Sequence, residues 1–139
     1  MRPRPRGQAL VELALLLPVV LCVLCATVEF GFIAIDQMSL DAAARDGAQA
    51  GAVSGLTSAQ AEAAGAAAAS EAAAGLISCG LGTPSAVYAS TVSPNTLTVT
   101  ASCTYSPVTP LGPLVSGLLG GSLNTALTLT GSAVWRVQT

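Results

Sequence analysis

The spacing of apolar residues divides the chain into a continuously hydrophobic N-terminal part and a patterned C-terminal part. Residues 9–35 are apolar apart from Glu12, Glu29 and a few small or weakly polar side chains. As an α-helix this stretch would extend roughly 40 Å, more than the ~30 Å hydrocarbon core of a bilayer. We therefore expect a transmembrane helix. Pro18 predicts a bend in it, because proline removes one backbone hydrogen bond.

Helical spacing continues beyond this stretch to about Gly55. Small residues recur every four positions along it, at Ala43, Gly47, Gly51 and Gly55. Such a stripe suits the close approach of another helix, and it is equally typical of a helix end that frays. The charged residues of this region are predicted to lie on solvated faces; they are Asp36, Asp41, Arg45 and Asp46.

A second helix is predicted from Thr57 to Ala74. Thr57 and Gln60 have the spacing of a capping box, in which each side chain bonds the other residue's backbone N–H. The sequence that follows is mostly alanine, a strong helix former. Gly75 is a plausible end of this helix.

Beyond Cys79 the period changes to two, which is typical of strands with one buried face. In Thr96–Tyr105 the apolar positions alternate with threonine and serine, and Ala86–Val92 is the expected hairpin partner. Residues 127–137 repeat the alternation, and Leu114, Val115, Leu118 and Leu119 suggest one helical turn between the strands. The predicted fold class is α+β: a long N-terminal transmembrane helix, then a helix on a roughly three-stranded antiparallel sheet.

Composition narrows the function classes. The chain has 139 residues, a net charge of −2 and no histidine, so it lacks a broad basic face for nucleic acid and the commonest general base. It contains no phosphate-binding Gly-Lys-Ser/Thr loop, no nucleophile elbow and no cysteine cluster with zinc spacing. We therefore expect no catalytic residues, no metal and no cofactor.

The four cysteines form two pairs with different expected roles. Cys22 and Cys25 lie inside the apolar stretch, where small buried hydrophobes are expected. Cys79 and Cys103 lie in the polar half and are candidates for a disulfide if that half is exported. Closing a loop of this size would stabilise the fold by roughly 3–4 kcal/mol in the chain-entropy model.

Charge asymmetry predicts the orientation in the membrane. Arg2, Arg4 and Arg6 precede the apolar stretch, whereas Asp36 and Asp41 follow it. The excess of arginine predicts an N-terminus inside and a C-terminal domain outside the cytoplasmic membrane. A cleaved secretory signal peptide is the competing interpretation. The length of the apolar run, the missing small-x-small site and the early Glu12 argue against it.

Two motifs at the start of the chain resemble the TadE family of pseudopilins. The first is Arg6-Gly7-Gln8-Ala9-Leu10-Val11-Glu12, a basic tip with a glycine and a glutamate five positions later. The second is Val28-Glu29-Phe30-Gly31 followed by Asp41-Ala42-Ala43-Ala44-Arg45-Asp46-Gly47-Ala48, similar to the family's "EFG" and "AAREGA" signatures. Asp46 replaces the usual glutamate, and the resemblance covers about the first 55 residues.

The resemblance implies a pilin-like fold and a role in building a Tad (Flp-type) pilus. It implies that a prepilin peptidase cuts after Gly7, so that Gln8 becomes the N-terminus and Glu12 acts in assembly. The expected organisation is a basic leader at 1–7, an extended N-terminal helix at 8–55 and an exported domain at 56–139. The expected partners are the prepilin peptidase, other pilins and pseudopilins, the inner-membrane assembly platform and membrane lipid. A surface pilus is a further expected location.

Two other interpretations stay open at the level of sequence. The chain could be a signal-anchored exported domain that binds a ligand or cell-envelope polymer through the threonine-rich face of its sheet. It could also be a short-lived peptidase substrate with a regulatory role. Processing after Gly7 separates the first of these from the pseudopilin interpretation, because a plain anchor would keep its three arginines.

Overall fold

A long α-helix leads into a second helix and an antiparallel sheet. The computed structural model describes residues 6–53, 55–90, 94–110, 117, 120 and 127–137. Its helices are α1 (Arg6–Gly51) and α2 (Ser58–Ala72), and a 3₁₀ turn at Ala73–Gly75 ends α2. Its strands are β1 (Cys79–Leu81), β2 (Ser85–Ala89), β3 (Thr96–Tyr105) and β4 (Thr128–Arg136). The predicted α+β class is confirmed, with four strands in place of roughly three.

The chain forms two compact units. One comprises Met1–Gly31 and Pro107–Thr125, and the other comprises Phe32–Ser106 and Ala126–Thr139. The four residues of the predicted helical turn, Leu114, Val115, Leu118 and Leu119, lie outside the described residues. The same is true of most of the basic leader.

The first thirty residues of α1 present apolar side chains to the outside. Leu10, Leu15 and Val23 are 68%, 70% and 60% exposed. Among the described residues, α1 is the one helix long and apolar enough to cross a membrane, and its most apolar window has a mean hydropathy of 2.7 with none of it buried. Such a surface is unfavourable in water. The helix therefore anchors the protein in a membrane by a single pass.

The second helix begins where its capping residues predict. The Thr57 hydroxyl accepts a hydrogen bond from the Gln60 backbone N–H, and the Gln60 side chain accepts one from the Thr57 backbone N–H. These reciprocal bonds satisfy two donors that the helix itself leaves unpaired. The buried face of α2 consists of Ala61, Gly65 and Ala69, so it lies unusually close to its neighbours.

The sheet has three strand positions, because β1 and β2 share one side of β3. β1 pairs Leu81 with Cys103, and β2 resumes by pairing Ser85 with Thr100. Residues 82–84 therefore face only residues 101–102, which is the arrangement of a β-bulge. The fourth strand, β4, pairs with β3 along its whole other side. The predicted hairpin partner was placed slightly late, since β2 begins at Ser85 and ends at Ala89.

The core lies between the two helices and one face of the sheet. The five apolar positions predicted to point inward from β3 are all buried: Leu97, Val99, Ala101, Cys103 and Tyr105. Leu40 packs with Ala101, Cys103 and Leu129, and Ala48 packs with Ala69, Leu97 and Val99. The two clusters place α1 along the length of the sheet.

Glycines permit the closest contacts in this core. A Cβ atom added at Gly47 would lie 2.6 Å from the Gly65 carbonyl oxygen, and one added at Gly131 would lie 2.6 Å from the Leu40 carbonyl oxygen. The small-residue stripe of α1 therefore contacts another helix, as one interpretation of the sequence predicted. α1 ends at Gly51, and Gly55 lies beyond it with φ of +87°.

Candidate functional site

The N-terminal residues singled out by the sequence lie in the exposed first turns of α1. The helix begins at Arg6, and Gly7, Gln8 and Glu12 are all exposed. A Cβ atom at Gly7 would meet nothing within 4 Å. The first four N–H groups of a helix have no intrahelical partner. Unwinding α1 around the Gly7–Gln8 peptide bond into an extended conformation therefore breaks few hydrogen bonds.

Glu12 lies one helical turn after Gln8. Residues four apart occupy the same face of a helix and are neighbours on its surface. A chain that began at Gln8 would present an α-amino cation on the face that carries the Glu12 carboxylate. In a medium of low dielectric constant these charges attract several times more strongly than in water. The arrangement suits an ion pair within one chain or between neighbouring chains.

Glu29 holds the segment that follows β3. Its side chain is 5% exposed, and its Oε1 accepts hydrogen bonds from the backbone N–H and the hydroxyl of Thr109, both at 2.6 Å. Hydrogen bonds to a charged acceptor are stronger than neutral ones. The sequence analysis assigned no partner to Glu29. The structure adds this contact, between residues 80 positions apart in the chain.

Asp36 was predicted to lie on a solvated face, and this prediction is wrong. The side chain is fully buried, and its two oxygens accept hydrogen bonds from the backbone N–H groups of Ile77 at 2.9 Å and Ser78 at 3.0 Å. The Ser78 hydroxyl donates a further short bond to Oδ2. A buried carboxylate is tolerated only when such donors replace its water. Asp36 thus fixes α1 to the segment entering β1.

The candidate disulfide lies directly beside this contact. Cys79 follows Ser78 and is joined to Cys103 of β3, with their Cα atoms 5.5 Å apart. The bond connects the short strand β1 to the central strand of the sheet. Cys22 and Cys25 are free thiols on the partly buried side of α1. Among the described residues, no group of three or more Cys, Asp or Glu side chains has the arrangement of a metal site.

Threonine and serine side chains cover the face of the sheet turned away from the helices. The register places Thr104 opposite Thr128, Ser102 opposite Thr130 and Thr100 opposite Ser132. Among the described strand residues, the one charged side chain on this face is that of Arg136, at its end. The hydroxyl-rich surface is the one on which the ligand-binding interpretation depends.

Comparison with known proteins matches the N-terminal helix alone. The family model described as TadE-like protein matches residues 7–49. The match begins at Gly7 and ends within α1, so the resemblance to TadE-like proteins is confirmed over that helix. No curated protein and no solved structure matches the chain. The matched segment includes Glu12, Glu29 and Asp36.

Proposed function

We propose that this protein is a minor, pilin-like structural subunit needed to build a Tad (Flp-type) pilus. One observation carries the proposal: the family match begins at Gly7, in the first turn of an exposed apolar helix with Glu12 five positions later. A subunit of this kind uses its helix twice, first as a membrane anchor and then as a contact with other helices. The family match supports a general association with Tad pili, and the subunit role is our proposal.

The first step is processing by a prepilin peptidase after Gly7. Cleavage would remove Arg2, Arg4 and Arg6 and leave one cation, the amine of Gln8. The basic leader that holds the N-terminus inside the membrane would then be lost. A helix with one terminal charge is easier to withdraw from the bilayer than one flanked by three arginines. Processing would therefore prepare the helix for transfer into an assembly.

The second step is pairing between the Gln8 amine and Glu12. A carboxylate on an apolar helix is costly to bury unless a cation neutralises it. When exposed helices of several subunits pack together, the amine of one chain and the Glu12 carboxylate of its neighbour would satisfy each other. This pairing would also set the axial stagger between subunits. It explains why an acidic residue belongs near the start of the helix.

We assign the exported domain a structural rather than a catalytic role. The buried carboxylate of Asp36 on α1 accepts hydrogen bonds from backbone N–H groups of the domain and holds the domain on α1. The disulfide and the Gly47 contact stiffen the same region. A rigid domain on a membrane helix suits a subunit that starts or anchors a fibre, with its N-terminus inside and its domain outside. The partners we propose are other pilins and the inner-membrane platform.

Substitution of Glu12 tests the proposal. Glu12→Ala should leave the protein in the membrane fraction, because removing a charge favours insertion, and should abolish its incorporation into pili. Glu12→Asp should retain partial incorporation, and Leu13→Ala, at a position 60% exposed on the same helix, controls for simple loss of side-chain volume. Pilus yield and co-purification with other pilins are the measurements. Wild-type incorporation of the Glu12→Ala protein would contradict the proposed pairing.

A second function has support from one observation. The threonine- and serine-rich face of the sheet is exposed, with the side chains of Thr104, Thr128 and Thr130 open to solvent. It would serve an anchored domain that binds a hydroxyl-bearing polymer of the cell envelope. Such a protein needs no processing, so retention of the arginines in the mature chain would favour this alternative.

A further inference from the structure

One edge of the sheet is open. In an antiparallel pair the backbone groups of alternate residues point toward and away from the neighbouring strand. The Thr130 carbonyl points away from β3 and accepts a hydrogen bond from the Gln37 side chain at 3.0 Å. The next even-numbered residues, Ser132, Val134 and Arg136, therefore also direct their N–H and C=O groups outward. Within the described part of the chain these groups have no hydrogen-bond partner.

The opposite edge is closed at one point by a side chain. In β2 the even-numbered residues Ala86 and Tyr88 point away from β3. The Tyr88 N–H donates to the Glu62 carboxylate of α2 at 2.8 Å. The bulge at residues 82–84 ends this edge just before Ser85. Apart from the Tyr88 N–H, which is bonded to Glu62, each edge is open over five residues, at 132–136 on β4 and 85–89 on β2.

We propose that the β4 edge of one copy of this protein adds in parallel to the β2 edge of a second copy. In a parallel pair, a residue whose N–H and C=O groups point toward the partner strand lies opposite a residue whose groups point away from it. The first residue then bonds the two residues that flank this opposite residue. Val134 therefore lies opposite Val87 of the second copy. Its N–H donates to the Ala86 carbonyl, and its carbonyl accepts from the Tyr88 N–H. The alternation of inward- and outward-directed backbone groups along β4 and β2 allows this register.

The side chains that meet in this register suit each other. On the outer face, Val134 and Val87, which are 62% and 59% exposed, would cover one another. On the inner face, Trp135, 43% exposed, would lie beside Tyr88 of the second copy. Cross-strand aromatic and β-branched pairs are the contacts that stabilise sheets. Arg136 would face Ala89, so no like charges meet.

The direction of α1 selects this pairing over an antiparallel one. Along α1, Leu40 packs at the Leu129 end of β4, and Gly51 packs against Leu97, whose β4 partner is Trp135. α1 thus runs in the same direction as β4. Antiparallel pairing of two β4 edges would make the second α1 run in the opposite direction to the first. Two copies anchored in one membrane share the direction of α1, and parallel pairing preserves it.

In this arrangement Glu62 acts as a cover over the Tyr88 N–H. The isolated protein keeps that donor satisfied, and the second copy must displace the carboxylate to form the ladder. Natural proteins often protect sheet edges with such charged side chains. The pairing stands on the geometry of the sheet and does not depend on the proposed role in a pilus.

Cysteine cross-linking in membranes tests the proposal, with the full-length chain carrying Cys22→Ala and Cys25→Ala. Val134→Cys and Val87→Cys chains are co-expressed, oxidised and separated on a non-reducing gel. Neighbouring strands lie close enough for a disulfide between these positions. We expect a cross-linked dimer from the mixture and only monomers from either variant alone. Adding Glu62→Ala should raise the dimer fraction severalfold.

Three results would overturn the proposal. A dimer from Val134→Cys alone would show antiparallel pairing or random collision. Cross-linking of Val134→Cys to a different protein would assign the edge to another partner. The absence of dimer in the mixture, with and without Glu62→Ala, would show that the edge does not pair. An unchanged dimer fraction on adding Glu62→Ala would overturn the role of Glu62 as a cover.

Discussion

Replacing Gly47 by alanine tests whether the contact between α1 and α2 organises the C-terminal domain. The new methyl group would lie 2.6 Å from the Gly65 carbonyl oxygen, 2.8 Å from Ala69 Cβ and 3.1 Å from Val99 Cγ1. Carbon atoms in good contact lie about 3.5–4.0 Å apart. The nearest atom belongs to backbone, so α2 as a whole must move outward to relieve the overlap.

The expected cost follows from two opposing effects. Overpacking of a well-packed core costs about 1–3 kcal/mol. Alanine in place of glycine within a helix returns up to about 1 kcal/mol. The net loss should therefore be about 1–2 kcal/mol in the free energy of unfolding. For a domain of this size that corresponds to a fall of about 4–15 °C in the melting temperature.

Thermal unfolding in detergent, followed by the fluorescence of Trp135, measures this change, because Trp135 is the only tryptophan in the chain. Gly31→Ala is the matched control, since a Cβ atom there would meet nothing within 4 Å. The control should melt at or above the wild-type temperature. If Gly47→Ala melted at the same temperature as its control, the close approach of α1 and α2 would not organise the domain.

Two further substitutions address the polar contacts beside β1. Asp36→Asn should lower the free energy of unfolding by roughly 2–4 kcal/mol, because a neutral side chain replaces a charged acceptor of backbone N–H groups. Asp46→Asn, at an exposed position, is its control. Equal denaturant midpoints for the two variants would contradict the role of Asp36. Cys79→Ala combined with Cys103→Ala should lower it by about 3–4 kcal/mol. Reducing agent should then destabilise the wild-type protein and leave this double variant unchanged, and a wild-type protein that is insensitive to reduction would refute the assignment.

Local signals in the sequence predicted much of the fold. The alternation in β3 depends only on residues two apart, and it identified the bounds of the strand and its buried face. The Thr57–Gln60 capping box is equally local, and α2 begins where it predicts. The apolar stretch of α1 was predicted to be a transmembrane helix from its length alone. In each case the determining interactions lie within a few residues of one another.

Contacts distant along the chain were not predictable in the same way. Asp36 resembles a solvated acidic residue because its donors, Ile77 and Ser78, lie 41 and 42 positions away. Glu29 meets Thr109 across 80 positions. Nothing in the local pattern distinguishes these carboxylates from exposed ones. The bulge between β1 and β2 was missed for a similar reason, since it is defined only by the register with β3.

The mature N-terminus decides between the pilus role and a plain membrane anchor. The measurement is the intact mass and the N-terminal peptide of the protein from cells with and without the prepilin peptidase. Our account predicts a chain that begins at Gln8 only when the peptidase is present, and a full-length chain when it is absent. A chain that keeps Arg2, Arg4 and Arg6 in both kinds of cell would contradict it.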